Sequence, residues 1–529
     1  LPTPAHALSL HSPDPAQPLL TVTPTRESGV GKVVRFPGAG ITAEWQRLPS
    51  EQEPGGLPAE PAHGMIGRSR ELDMLEGFLR DEHAGSGALA VYGYEGLGKT
   101  SLVSHIARWL VRTGRFRRVV YTSMAGGGHR ESALYDLGIR LIGDEFVQTP
   151  NVDEAVLQAL ADTPTLVIWD HVDALLPNGN FYPNSAALEA LWQLGGRICA
   201  TGRSRLCLIV DSPTLPRDIR LPTPLAHSLE IRPMPPDDAA ALWSTLLHEA
   251  DRNLQPEGDI ADLPVLLGGH PLALGILAPI VVAGEMDVIA TLEAMMPDLR
   301  RGEARLSNQA LDVAMEVLLR SLDSDLRHAI LPLGLFAGGM MEPQALRLLD
   351  IEEDRWAEIK GRFAAAHLVR EERIPGLSAQ YIRLHRASGR HLYQRMPSAF
   401  RSRIEPQFYG TYMGMMTWLS GMGSRSPEIV QMISRRELPN LRRALRLALQ
   451  TQQLSMATTF ARQLQGLLEQ LGYAEESAAI DETIRRTTAE LVPAEGPLSR
   501  AGVQFLLEQS EQLAAGGRMA DSGRILQQL

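Results

Sequence analysis

Gly93-Tyr94-Glu95-Gly96-Leu97-Gly98-Lys99-Thr100 is the stretch on which the reading of this chain turns. Ahead of it, Ala88 to Tyr92 is a short apolar run of strand character. Behind it, Ser101 to Val111 repeats apolar residues at helical spacing. Glycines at 93, 96 and 98 let the backbone curl until successive N–H groups face one point, and the helix adds its positive N-terminal end. Such a corner suits phosphate. Lys99 would then reach the β- and γ-phosphates of a nucleotide as a point charge, and Thr100, with Ser101 beside it, would offer a hydroxyl to Mg2+. A second partial match, Gly29-Val30-Gly31-Lys32, lacks the leading glycine, which is Arg26 here, and carries Val33 in place of the hydroxyl residue. It is read as a decoy.

Working outward, Val119 to Tyr121, Thr165 to Trp169 and Arg197 to Ala200 read as further strands, with helical patterns between them. Alternating strands and helices imply a parallel sheet covered on both faces. Leu166-Val167-Ile168-Trp169-Asp170 is an apolar strand ending in a carboxylate that can meet Mg2+ beside the loop, unless Asp170 is only a strand-end cap. Asp173 is placed to orient or deprotonate an attacking water. His171 stands where vigorous ATPases carry glutamate, so slow Mg-dependent ATP hydrolysis is expected. Arg203, or alternatively Arg205, follows the expected strand at 197–200 and is a candidate sensor of the γ-phosphate.

The 529 residues are too many for one core. Apolar residues make up 44% and charged residues 21%, as in an ordinary globular protein. The net charge of −11 argues against DNA or anionic membranes as general partners. Two cysteines, Cys199 and Cys207, have no metal-ligand spacing and fit thiols of a reducing cytoplasm. The uncharged run Leu263 to Gly284 is long enough for a membrane span, but Pro264, Pro271, Pro279 and Gly268-Gly269 break it into buried helices. Basic residues are nearly all arginine, with Lys32, Lys99 and Lys360 the only lysines, a bias expected of a GC-rich bacterial genome. The start at Leu1 and a helical pattern running to Leu529 suggest a fragment of a longer protein.

Residues 1–62 read as an irregular segment and linker, with apolar runs at Leu19 to Val22 and Lys32 to Phe36. Residues 63–228 form the nucleotide domain, and 229–305 a helical domain. In 306–398, Leu368 to Arg370 and Tyr381 to Leu384 read as two strands about a Gly376 turn. Residues 399–529 carry helical hairpins, with turns at Gly472 to Glu475 and Gly517 to Ala520.

Taken in order, these motifs resemble the STAND class of signal-transduction NTPases, which includes the NB-ARC and NACHT proteins. Met65-Ile66-Gly67-Arg68 with Glu71-Leu72 is similar to the class's entry motif against the adenine. Gly93 to Thr100 matches Walker A and Leu166 to Asp170 Walker B. Thr201-Gly202-Arg203 resembles the threonine-arginine sensor, and Gly269-His270-Pro271 the glycine-x-proline motif whose proline packs near the base. Leu311 to Arg395 resembles the winged helix. Leu384-His385 resembles the methionine-histidine-aspartate motif, whose histidine contacts the ADP β-phosphate, but Arg386 stands in the aspartate's place.

The resemblance implies a multidomain α/β and α architecture: a P-loop parallel sheet, a helical domain, a winged helix and TPR-like repeats. It implies ATP or ADP with Mg2+ as ligands, a cytoplasmic location and a switch that assembles into a homo-oligomer on activation. The trigger would be a protein or small molecule acting at the repeats. His385 is either the clamp on ADP or a packing residue. Two other readings stand beside the switch. One is a DNA-binding regulator using Arg383, Arg386, Arg390, Arg395, Arg401 and Arg403; the other is a repeat scaffold with a structural nucleotide.

Overall fold

The computed structural model describes residues 56–491 with short interruptions, the longest at 296–308, together with strands at 6–11 and 42–47 and parts of 502–526. β1 (His6–His11) and β2 (Thr42–Arg47) pair antiparallel. The runs at 19–22 and 32–36, the decoy loop at 29–32 and the turn glycine at 517 lie outside the described residues.

The α/β part begins with α1 (Ser69–Arg80) and continues through β3 (Ala88–Gly93), α2 (Lys99–Arg112), β4 (Arg118–Ser123), α3 (Arg130–Leu141) and α4 (Val152–Asp162). It closes with β5 (Thr165–Asp170), α5 (Ser185–Ala200), β6 (Arg205–Asp211) and β7 (His227–Glu230). The five strands are all parallel, in the order β4-β5-β6-β3-β7. Side chains alternate through the sheet. Val91, Ile168 and Ile209 join the core under α1 and α2, while Ala90, Trp169 and Leu208 join the core under α3 to α5. With both faces covered, the inner strands β3, β5 and β6 read as nearly unbroken apolar runs, while the edge strands β4 and β7 carry polar residues.

One strand differs from the reading above. Arg197 to Ala200 is the last turn of α5, and the strand is Arg205–Asp211. Gly195-Gly196 suggests a break ahead of residue 197, yet both glycines lie within the helix. Leu191, Trp192, Leu194 and Ile198 are all buried there, and that packing outweighs the weak helix propensity of glycine. β6 inserts between β3 and β5, so its C-terminal residue, Asp211, lies between the glycine loop and Asp170.

Helices then dominate: α6 (Pro236–Ala250), α7 (Asp259–Leu266), α8 (Pro271–Ala283) and α9 (Val288–Met295). The uncharged run at 263–284 is thus divided between α7 and α8, and among the described residues no helix is long and apolar enough to cross a membrane. Next come α10 (Gln309–Arg320), α11 (Ser324–Ala329), β8 (Gly339–Met341), α12 (Glu342–Leu349) and α13 (Glu353–Ala365). β9 (Val369–Arg373), β10 (Gln380–Leu384) and α14 (Arg386–Arg395) complete this part. The expected hairpin is present, and β8 joins it as a third antiparallel strand in the order β8-β10-β9.

Helical hairpins follow: α15 (Ser398–Met422) with α16 (Pro427–Gln450), then α17 (Leu454–Gln470) with α18 (Ala474–Leu491), and later α19 (Met519–Leu526). α17 stops where Tyr473 N donates to Leu468 O and Gly472 N to Glu469 O, which satisfies the last carbonyls of the helix. Buried apolar residues from Met234 to Tyr473 form one connected core, so the three-stranded sheet with its helices and the helical hairpins after it are fused through packing.

Candidate nucleotide-binding site

The site is built at the carboxyl ends of the parallel strands, where open α/β sheets bind ligands. β3 runs into the loop, and Gly98 caps α2 in the left-handed region at φ 85° with no side-chain cap. The first N–H groups of α2 therefore have no capping side chain and suit an anion. Gly96, at φ 77°, is held close to the helical part: a Cβ there would lie 2.7 Å from His270 Cε1. Lys99 is buried, with its ammonium 3.0 Å from Gly93 O, 2.6 Å from Tyr94 O and 2.7 Å from Asp211 Oδ1.

Asp170 is fully buried at the end of β5. Its Oδ2 accepts from Thr100 Oγ1 and from Tyr121 OH, each at 2.8 Å, and its Oδ1 accepts from His171 N at 2.7 Å. A hydroxyl from the first turn of α2 and a carboxylate from β5 thus meet, and this oxygen donor set fits the hard cation Mg2+.

Around this point lies a network of charges. Asp211 Oδ2 sits 3.0 Å from His171 Nδ1. Burial opposes charge on both, but Lys99, His171 and Arg386 hold the Asp211 carboxyl well below its usual range. The imidazolium of His171 is likewise disfavoured by burial, yet Asp170 and Asp211 raise its pKa to about 9. Asp173 accepts from Asp211 N at 3.0 Å and pairs with Arg386 at 2.7 Å. Both its oxygens are engaged, so in this arrangement it is not free to act on a water. His171, Asp173 and Asp211 place ligand atoms within 4.8 Å of one another. Lys99 and Arg386 already neutralise the two acids, so the cluster reads as an ion-pair network.

Three more segments close on the loop. Arg68 is buried at φ 63° and donates to Leu97 O at 3.2 Å and to Glu71 at 2.9 Å. Its backbone N lies 3.4 Å from Asp238 of α6, so Ile66-Gly67-Arg68 sits between the loop and the helical part. At the start of α8, His270 Nδ1 accepts from Ala273 N at 3.3 Å, which leaves the proton on Nε2, 3.1 Å from Glu95 O. Burial lowers the His270 pKa to about 4, so it is a neutral donor at neutral pH. Leu272 N donates to Gly96 O at 3.3 Å, placing the residue after Pro271 on the loop.

At the end of β10, His385 caps α14 by accepting from Ala387 N at 3.2 Å. Burial first, and then the charge of His171, lower its pKa to about 4. With Nδ1 accepting, its Nε2 carries a proton. Arg386 pairs with Asp173 and lies 3.4 Å from Asp211, while Arg390 pairs with Glu95 at 2.9 Å.

Arg203 is not part of the site. It precedes β6, at the amino end of a parallel sheet whose carboxyl end carries the loop. Arg205 lies at the same far end, donating to Gly202 O and Ser204 O. The residue of this strand that faces the loop is Asp211. An apolar run ending in an acid, as at Leu166 to Asp170, is visible in Leu206 to Asp211 and marks it. Tyr121, His270 and Arg390 have no such local mark. The remaining arginines of the cluster are engaged within the chain: Arg383 and Arg395 pair with Glu372 and Glu316, Arg401 donates to Tyr393 O, and Arg403 lies over the Phe400 ring.

Sheet order, glycine loop and paired Thr100 and Asp170 together define the P-loop NTPase fold. No protein-family model and no curated protein matches the chain. Among solved structures it is similar to a STAND protein with a tetratricopeptide repeat sensor from Pyrococcus horikoshii, at 16% identity and a TM-score of 0.47. That match covers 88% of this chain but 63% of the other, so the chain spans less than two thirds of that protein. The Walker-type ATPase of Pyrococcus abyssi is similar over 63% of this chain and 98% of its own, at 16% identity and a TM-score of 0.34. The Aeropyrum pernix ORC2 protein, solved in ADPNP and ADP complexes, is similar over 65% and 97%, at 14% identity and a TM-score of 0.30.

Proposed function

We propose that the chain is a STAND-class switch: an ATP- and ADP-binding regulator with slow Mg2+-dependent hydrolysis that opens and self-associates when activated. The observation that carries this reading is the closure of the winged helix and α8 onto the phosphate loop, through His385, Arg386, Arg390 and His270. A nucleotide there would be read by several parts of the chain at once, which is what a nucleotide-controlled change of shape requires. The loop N–H groups and Lys99 would hold the phosphates, Ile66 to Arg68 and Pro271 would border the base, and Thr100 and Asp170 would hold Mg2+. When bound, the metal would offset charge that develops on the γ-phosphate.

Slow turnover follows from the neighbours of Asp170. His171 is tied to Asp211, and Asp173 is tied to Arg386, so neither of these two groups is free to act on a water while the chain is closed. The repeats also touch the nucleotide part directly. Glu131 of α3 accepts from Glu475 N at 2.7 Å and Glu476 N at 3.2 Å, at the first turn of α18. A trigger that moved α18 would pull on α3 through this contact. Titration of the purified chain with ADP and with ATP, alongside its mass in each state by light scattering, tests the proposal. Equal mass and equal affinity in both nucleotides would remove the switch and favour a scaffold with a structural nucleotide.

Two expected outcomes separate the parts of the site. Asp170→Ala should lower Mg2+-dependent ATP turnover on the order of a hundredfold while changing ADP affinity much less. A phosphate-release assay beside calorimetric titration checks both, and equal losses would show that Asp170 serves binding in general. His385→Ala should weaken ADP more than ATP, because its Nε2–H can donate to the β-phosphate. A hydrogen bond to a charged group is worth about 1.5–3 kcal/mol, and about 2 kcal/mol is roughly thirtyfold. The same change removes the cap of α14, at about 1 kcal/mol of stability. A lower melting temperature with an unchanged ADP-to-ATP ratio would leave His385 with the capping role alone.

A further inference from the structure

Two positions at this site carry charges opposite to the pattern that the chain otherwise resembles. At the carboxyl end of the strand beside β3, where a sensor arginine is expected, stands Asp211. After His385, where the resembling motif has aspartate, stands Arg386. The two exchanged residues face each other: Arg386 lies 3.4 Å from Asp211 Oδ2, and Lys99 lies 2.7 Å from Asp211 Oδ1. The Asp211 carboxylate thus bridges the loop lysine and Arg386, with His171 on the Oδ2 side and Asp173 as the nearer partner of Arg386.

Resting on the nucleotide-binding reading, we propose that Arg386 is the phosphate-reading arginine of this site, supplied by the winged helix in place of the sheet, and that a nucleotide's terminal phosphate displaces Asp211 from between Lys99 and Arg386. A phosphate has the charge and the tetrahedral oxygens to satisfy both cations, and arginine suits it through its paired N–H donors. Asp211 keeps other partners after displacement, since His171 lies 3.0 Å from its Oδ2.

The surrounding charges argue the same way. Glu95 lies within the loop itself, 2.9 Å from Arg390, and its second oxygen is buried with no hydrogen-bond partner. Glu95, Asp173 and Asp211 are an unfavourable surrounding for phosphates, and two arginines one turn apart on α14 pair with them, Arg386 with Asp173 and Asp211 and Arg390 with Glu95. Withdrawal of α14 would leave the phosphate site with its acids exposed to the ligand. Nucleotide should therefore bind the closed chain better than the open one and, reciprocally, favour closure.

Calorimetric titration of the whole chain with ADP tests the assignment in two variants. Arg386→Ala should weaken ADP roughly tenfold or more. Asp211→Asn should tighten ADP by about threefold or more, because the internal competitor loses its charge while its shape is kept. An ADP affinity in Arg386→Ala within about twofold of wild type would overturn the assignment, and weaker binding by Asp211→Asn would overturn the displacement. Should Arg386→Ala not fold, the sign of the Asp211→Asn effect decides. Failure of wild type itself to bind ADP would overturn the inference together with the reading beneath it, whereas an unchanged Arg386 variant of a chain that binds ADP overturns the inference alone.

Discussion

Lys99→Ala is expected to abolish measurable binding of ADP and ATP. The lysine side chain is 2% exposed and its ammonium sits inside the curve of the loop, within hydrogen-bond reach of Gly93 O, Tyr94 O and Asp211. In a complex it would exchange those partners for phosphate oxygens. Two charge-assisted hydrogen bonds at about 1.5–3 kcal/mol each amount to roughly a hundredfold to a ten-thousandfold in affinity. The loss would be aggravated by Asp211, whose charge would no longer have the lysine as its nearest partner. Thermal melting gives a simple readout, because a ligand that binds only the folded state raises stability with its concentration. Wild type should melt higher as ADP is added, and the variant should show no such shift. A variant that responds to ADP as wild type does would remove the central claim about this loop.

Much of this site is legible in the sequence because its chemistry is local. The glycines, Lys99 and Thr100 are consecutive, and the strand and helix around them follow from an apolar run and a helical period. Asp170 is marked by the strand it ends. The strand expected at 197–200 is instead the last turn of α5, where the packing of Trp192 and Ile198 keeps the helix intact through Gly195-Gly196. That misplacement puts the candidate sensor at Arg203, at the amino end of the sheet, whereas the residue of this strand that faces the loop is Asp211. β8 is three residues long and exists because β10 pairs with it, so nothing in Gly339 to Met341 announces it. The role of Arg386 is illegible for a similar reason. Its partners lie 213 and 175 residues earlier in the chain, and only the fold brings them within reach. A charge cluster read without those partners looks like a surface for nucleic acid, whereas its arginines are engaged within the chain.

The largest stability effect is expected at Glu437, where α16 meets the three-stranded antiparallel sheet. Glu437 is fully buried. Its Oε1 accepts from Met341 N at 2.5 Å, and its Oε2 accepts from Tyr412 OH and Asn440 Nδ2, both at 2.7 Å. Asn440 in turn accepts from Ala337 N and donates to Gly339 O. One carboxyl therefore supports three donors from α15, α16 and β8. Glu437→Ala would leave those donors buried without an acceptor and open a cavity, at a cost on the order of 3–5 kcal/mol. Burial raises the Glu437 pKa to about 7 against the three hydrogen bonds that lower it. The folded chain then holds a proton that the unfolded chain releases near pH 4.5. By linkage, the stability this group contributes is complete below the unfolded value and is lost as pH rises through about 7. Wild type should therefore lose stability between roughly pH 5 and pH 8 by up to about 3 kcal/mol more than Glu437→Gln does, since the amide does not titrate. Melting temperatures of the two proteins across that range check the sign. Parallel curves would mean that Glu437 stays ionised in the folded chain throughout, held by its three donors alone.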